Sequence, residues 1–281
     1  MKPLPKTPLV SVVTPSYNTG RFIEETLRSV GDQGYPRIEH IVLDSGSTDQ
    51  TPEILARFPA LRVISPAPAG LTAKMDHGFA LAQGDIVGWL CADDCYLPGA
   101  IARAVEALKQ HPEAGMVYCN FLHVDEDGVE IDRERSRQAG LRELLEERNY
   151  VPTQGAFIRR EALERAGVSV DGRYPLVCDW ELWIRISKLY PILHVDDWWG
   201  AFRVRRGQLS DIHKYEYWIQ GRRMARGHGA SFFSPMFWNY WGGKAWRAGL
   251  MLLKGRFRAF NSKLRDLVAG LRNWIATPRQ G

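Results

Sequence analysis

Apolar residues in the first half of the chain come in short β-branched runs, each closed by a polar turn and followed by a stretch of helical period. Leu9-Val-Ser-Val-Val-Thr14 has the length and branching of a strand and stops at the turn signal Pro15-Ser-Tyr-Asn18. Arg21 to Val30 sets Phe22, Leu27 and Val30 on one face and predicts a helix. The same alternation predicts strands at Ile38–Leu43, Leu61–Ile64 and Asp85–Leu90. Between and after them it predicts helices at Thr51–Arg57, with Pro52 in the first turn, Leu71–Ala82, and the Ala-rich Pro98–Gln110. Gly115–Val124 reads as a further strand that enters a hairpin turn at Asp125-Glu-Asp-Gly128.

The second half is less regular. It predicts a short charged helix at Leu141–Arg148, a strand at Gly155–Arg159, and a helix at Asp179–Leu189 with Leu182, Ile186 and Leu189 as its core stripe. Strands are expected at Ile192–Val195 and Ala201–Arg205. Strand-helix alternation at this spacing predicts an α/β fold, a largely parallel sheet flanked by helices. The polar motifs stand just beyond strand ends, where open α/β sheets bind ligands.

Composition adds a boundary. The 281 residues carry a net charge of +5, but Ile212 to Gly281 holds 13 Lys and Arg against 2 acids. That stretch is therefore +11 and the first 211 residues are −6; five of the ten Trp also fall after residue 211. The expected organisation is a catalytic domain over 1–211 and a basic, Trp-rich helical appendage over 212–281. The cysteines at 91, 95, 119 and 178 form no CxxC pair, which speaks against a zinc site or a disulfide framework and for reduced thiols. No signal peptide is visible, and no run reaches the roughly 18–20 apolar residues of a spanning helix. The expected location is cytoplasmic.

Asp93-Asp94 is the strongest local signal for chemistry. Two adjacent carboxylates at the end of an apolar strand are costly without a cation or hydrogen-bond donors. Mg²⁺ and Mn²⁺ accept one or two carboxylates together with substrate phosphates; the alternative is a solvated loop that caps the next helix. Asp44, at the end of the second strand, either accepts a hydrogen bond from a base or ribose or shapes its turn with Asp49. Tyr17 is placed to stack on a nucleobase, or simply to pack. Lys74, between Gly70 and Gly78, gives a faint phosphate-loop signal without a Walker pattern. Asp179 opens a helix, as a cap or as a general base.

Taken in order, Ser11-Val-Val-Thr-Pro-Ser-Tyr-Asn18, Asp44-Ser-Gly-Ser-Thr-Asp49, Ala82-Gln-Gly-Asp85, Asp93-Asp94 and Asp179-Trp-Glu-Leu-Trp-Ile-Arg185 resemble the motifs of family 2 glycosyltransferases over roughly residues 9–210. The resemblance implies a GT-A fold, a nucleotide-diphosphate sugar donor, with UDP-sugar favoured, Mg²⁺ or Mn²⁺, and inversion at the anomeric carbon. It puts Thr14, Pro15, Tyr17, Asp44 and Asp93 at the nucleotide, Asp94 on the metal and Asp179 as catalytic base. Gln154, Gly155 and Trp180 fall at the acceptor or sugar. Two departures stand out. Asp76-His-Gly78 replaces a common Asn-Lys-Gly, and Arg205, in Arg203-Val-Arg-Arg-Gly207, stands where a His is frequent. Arg pairs with phosphate and does not ligate metal, so Arg205 or Arg206 is expected to clamp phosphate.

The resemblance implies a hexosyltransferase acting on a glycan or lipid-linked acceptor in cell-surface polysaccharide biosynthesis. A nucleotidyltransferase is disfavoured by the lack of a Gly-rich loop near the N-terminus, and a non-catalytic scaffold by the intact acids. In the tail, basic residues beside Trp and Phe from Phe232 to Arg258 suit an interfacial helix on anionic lipid. A helix packing on the domain or on a second subunit is the alternative. Nucleic acid fits less well, because no reader motif is present.

Overall fold

The computed structural model describes residues 1–208, 212, 214–231, 234 and 235. Its strands are β1 (Val10–Ser16), β2 (Ile38–Asp44), β3 (Arg62–Ile64), β4 (Ile86–Trp89), β5 (Cys95–Tyr96), β6 (Met116–Val124), β7 (Glu130–Glu134), β8 (Ala156–Arg159) and β9 (Ile192–Arg203). Its helices are α1 (Ile23–Gly31), α2 (Thr51–Ala56), α3 (Leu71–Leu81), α4 (Ala100–Gln110), α5 (Leu141–Glu146), α6 (Arg160–Ala166), α7 (Cys178–Leu189) and α8 (Lys214–Gly227).

The strands form one sheet in the order β3-β2-β1-β4-β8-β6-β9-β5, with β7 also paired to β6. The pairings of β1 with β2 and β4, and of β2 with β3, are parallel, as the alternation predicts. Beyond β4 the sheet is mixed: β8 runs antiparallel to β4 and β6, while β9 runs parallel to β6. Every residue of β1 is buried, because helices cover both faces. Val13, Ile41, Leu43 and Trp89 pack with Met75 and Phe79 of α3 and, further along, with Trp183 and Ile186 of α7. Val10, Val12, Ile86 and Phe157 pack on the other side with Ile101, Ala104 and Leu108 of α4.

Two close approaches set how the layers sit. A Cβ on Gly78 of α3 would lie 2.3 Å from Val13 Cγ1, so the helix rests on β1 only because that position has no side chain. A Cβ on Gly221 of α8 would lie 2.5 Å from Trp180 Cζ3, so the same device docks α8 on α7. Sequence reading placed α8 in the appendage, yet its Arg222, Met224 and Ala225 are buried against the body. The remaining aromatic and basic tail lies outside the described residues, apart from Ser234 and Pro235.

The two short strands expected after α7 are one strand. β9 continues through Asp196-Asp197 by shifting register against β6 on either side of Asn120. The acids that interrupt its apolar pattern are satisfied locally. Asn120 Nδ2 donates to Asp196 at 2.7 Å, and Trp199 Nε1 donates to Asp197 at 2.9 Å. Among the described residues, no helix is long and apolar enough to cross a membrane, and all four cysteines are free thiols.

Candidate functional site

The carboxyl ends of β1, β2 and β4 open on the same side because their pairing is parallel and in register, with Ser16 opposite Asp44. The loops beyond them interlock. Asn18 N–H donates to Ser47 Oγ at 2.8 Å, and Thr48 N–H donates to Asn18 Oδ1 at 2.9 Å. Asn18 has a φ of 50°, and these two bonds hold it in that left-handed conformation. Asp49 caps α2 through Thr51 N–H at 2.9 Å and ties in Gly20 N–H at 2.8 Å. Below these loops lies a cavity of about 350 Å³, whose lining includes Pro15, Tyr17, Lys74, Asp93, Asp94, Asp179, Arg205 and Tyr217.

The carboxylate pair follows β4. Asp94 is only 3% exposed. Burial, and then the neighbouring Asp93, push its pKa well above the usual carboxylate range. The Arg203 amide opposes this by donating to Asp94 Oδ1 at 3.0 Å. Asp93 carries an ion pair of its own, from Arg205 Nε to Oδ2 at 2.7 Å. Ligand atoms of Cys91, Asp93 and Asp94 all lie within 4.8 Å of one another. Burial raises the Cys91 thiol far above its ordinary pKa, and a soft sulfur donor is disfavoured by hard divalent ions. The donors are then carboxylate oxygens, and a cation would offset both the burial of the Asp94 charge and the charge of Asp93 beside it. The residues fit a hard divalent ion such as Mg²⁺ or Mn²⁺.

Asp179, in the first turn of α7, lines the same cavity. Burial raises its pKa to about 6, against the pull of the backbone amides of the helix start and of Asn149. The Asn149 amide is oriented by Val151, whose N–H donates to Oδ1 at 3.0 Å. Nδ2 is thereby turned to Asp179, which it reaches at 3.4 Å. Burial, and then the charge of Asp179, raise the pKa of the Tyr217 hydroxyl, while Asn149 pulls against them. A carboxyl poised near neutrality in a cavity is suited to accept a proton.

Of the residues expected from sequence, Pro15, Tyr17, Asp93, Asp94, Asp179 and Arg205 meet on this cavity. Thr14, Asp44, Gln154, Gly155, Trp180 and Arg206 are not in its lining. Thr14 is buried and bonded to His40 Nε2 at 2.9 Å. Asp44 shapes the β2 turn, accepting from Gly46 and Ser47 N–H at 3.1 and 2.9 Å. Trp180 is a core side chain rather than a cavity wall. It is fully buried, donates to the Leu144 carbonyl at 2.9 Å and stacks on Tyr217. A Cβ on Gly155 would meet Cys119 Sγ at 2.7 Å, so that glycine serves packing. Gln154 is 2% exposed, while its neighbour Thr153 lines the cavity. Arg206 is held by its backbone to Glu126 at 3.3 Å.

Sequence reasoning missed Thr19, Leu176, Gln208 and Tyr217 in the lining. Lys74, noticed only through its glycines, is buried and donates Nζ to the Ser16 carbonyl at 2.8 Å. Tyr217 had a faint signal, an aromatic at the start of a basic helix.

The model of the family described as Glycosyl transferase family 2 matches residues 11–167. The O-antigen biosynthesis protein RfbC of Myxococcus xanthus is 33% identical over 175 residues. That match covers 58% of this chain, which spans 13% of the length of RfbC. Among solved structures, S. aureus TarS in complex with UDP-GlcNAc superposes with a TM-score of 0.64 at 18% identity, over 81% of this chain and 67% of the TarS chain. The mannosyltransferase PcManGT from Pyrobaculum calidifontis, in complex with GDP-Man and Mn²⁺, superposes with a TM-score of 0.62 at 21% identity, over 98% and 89% of the two chains. At these identities the shared property is the fold.

Proposed function

The chain belongs to glycosyl transferase family 2, and on that premise we propose that it moves a hexosyl group from a nucleoside-diphosphate sugar to a hydroxyl of a glycan or lipid-linked acceptor. The observation that carries this reading is the meeting of Asp93-Asp94 and Asp179 on one cavity. Support comes also from the complexes of TarS with UDP-GlcNAc and of PcManGT with GDP-Man. The name of RfbC favours a role in surface-polysaccharide synthesis.

In this reading Pro15 and Tyr17 hold the nucleoside at the β1 end of the cavity. Asp94, with Asp93, would hold a divalent cation, which when bound would offset charge on the leaving diphosphate. Asp179 takes the proton of the acceptor hydroxyl. The acceptor oxygen bonds to the anomeric carbon as the bond to the diphosphate oxygen breaks, and the electron pair leaves with the nucleoside diphosphate. Attack opposite the leaving group inverts the anomeric centre. Asn149 orients the Asp179 carboxylate, and the apolar wall at Leu176 and Trp89 limits water at the reacting carbon. The basic, Trp-rich stretch beyond α8, almost all of it outside the described residues, is what favours work at the cytoplasmic face of an anionic membrane.

A thermal-shift screen of nucleotide-sugars with and without Mn²⁺, followed by transfer assays with the stabilising donor, tests the proposal. A donor that stabilises the protein and is turned over only with Asp179 intact is the expected result. No stabilisation by any nucleotide-sugar rejects it. The non-catalytic scaffold has no observation of its own in its favour.

A further inference from the structure

Arg205 holds the residue that a cation needs. Its Nε donates to Asp93 Oδ2 at 2.7 Å, and the two side chains are 29% and 18% exposed. Its charge also bears on Asp94 and on Glu126. The guanidinium carbon also stands over the Phe22 ring, 5.7 Å from its centroid. Nη1 and Nη2 make no hydrogen bond among the described residues, although Arg205 lines the cavity. One guanidinium thus has its Nε on Asp93 and two amino groups with no hydrogen bond among the described residues.

Those two donors suit a phosphate better than a second carboxylate. A diphosphate carries more charge than Asp93 and accepts from a planar fork at two oxygens. Arg203, which also borders the pair, cannot play this part. It is 1% exposed, and its guanidinium is committed to the Asp93, Asp125 and Glu126 carbonyls and to Glu25. Arg205 is the one of the two with freedom to change partner.

We propose that Arg205 is an internal counter-ion, which occupies Asp93 in the nucleotide-free protein and passes to the donor diphosphate when that arrives, so that cation and nucleotide bind in a coupled way. The inference rests on the donor-site reading above. Free Mn²⁺ has to compete with a tethered cation for Asp93, whereas Mn²⁺ arriving with a nucleotide does not. The site therefore discriminates against metal alone and fills with the complete donor.

The test is Mn²⁺ titration of the full chain, with free Mn²⁺ read by electron paramagnetic resonance, first alone and then with UDP or GDP. Nucleotide chelation is subtracted from protein-free controls. Arg205→Gln is expected to bind Mn²⁺ about tenfold more tightly than wild type without nucleotide, within the usual range of site coupling. Arg205→Lys keeps the charge and is expected to stay within about twofold of wild type on the same scale. In Arg205→Gln the tightening of Mn²⁺ by nucleotide shrinks. Equal or weaker nucleotide-free Mn²⁺ binding by a folded Arg205→Gln overturns the proposal, as does absence of Mn²⁺ binding in both proteins. If UDP and GDP bind but the variant leaves Mn²⁺ unchanged, this inference alone fails. If neither nucleotide binds under any condition, the donor-site reading fails and the exchange falls with it.

Discussion

The backbone amide of Arg203 donates to Oδ1 of Asp94 at 3.0 Å, so the end of β9 fixes one oxygen of the buried carboxylate and leaves the other toward the cavity. The same arginine spans four elements, since its guanidinium reaches the Asp93 carbonyl, the Asp125-Glu126 turn and Glu25 of α1. A substitution that keeps the amide but removes the guanidinium separates these two contributions. Arg203→Met is expected to lose about 2–3 kcal/mol of stability, mainly by leaving three part-buried carbonyls without their donor, since Glu25 is 55% exposed and its pair adds little. Urea unfolding measures it; a loss within the scatter of surface substitutions would show that the guanidinium holds nothing.

Asp94→Asn keeps an oxygen for the Arg203 amide and removes the buried charge. It is expected to fold at least as well as wild type, to lose Mn²⁺ binding, and to lose about 10²-fold or more in transfer rate. Because burial and Asp93 hold the Asp94 pKa well above the carboxylate range, the ionised form that binds a cation is lost early on acidification. Mn²⁺ affinity should therefore fall on acidification at a higher pH than an ordinary carboxylate would give. A flat profile in wild type argues against Asp94 as ligand.

Asp179→Asn is expected to cut transfer by about 10²–10⁴-fold while leaving nucleotide binding intact. The wild-type rate should fall below a pH of about 6, where Asp179 takes up its proton, and the variant should lack that limb. The sign for stability is opposite. A carboxyl with a raised folded pKa favours folding below its unfolded pKa and loses that contribution as pH rises through about 6. The variant should thus melt higher than wild type at neutral pH. Calorimetry and a pH–rate profile check both, and an unaltered rate in the variant removes Asp179 from the chemistry.

Gly221→Val forces a side chain into the space 2.5 Å from Trp180. The expected cost is about 1–3 kcal/mol of overpacking, relieved by lifting α8 from α7. Proteolysis within α8 should speed up, and transfer should fall through displacement of Tyr217, while nucleotide binding at the β1 end persists. Unchanged proteolysis and activity would mean that α8 docks some other way.

The parallel first half of the fold was legible because its signals are local. Buried β-branched runs end in turn residues, and Asn18, Asp44 and Asp49 each bond within one or two neighbouring loops. The second half was not, because its elements are decided across the sheet. β9 reads as two strands since Asp196-Asp197 breaks the alternation, and the partners that make the break tolerable include Asn120 and Arg135 on Asp196 and Arg103 on Asp197, all distant in sequence, beside the nearby Trp199 indole. β5 is two residues long and has no period to detect. In the site, sequence order identified the acids that line the cavity but not which way side chains turn. Thr14 faces His40, Trp180 faces the core, and Tyr217 enters from a helix whose basic composition hid it.

The docking of α8 has a consequence for exchange of parts between relatives. The family-matched segment ends at residue 167, so the carboxylate pair lies before that seam, whereas Asp179 and Tyr217 lie after it. On the proposed roles, a chimaera joined there would take its donor half from one parent and its proton acceptor, with the wall around it, from the other. If those roles hold, recombination across this point would reassort what is transferred and what receives it as two separately inherited traits.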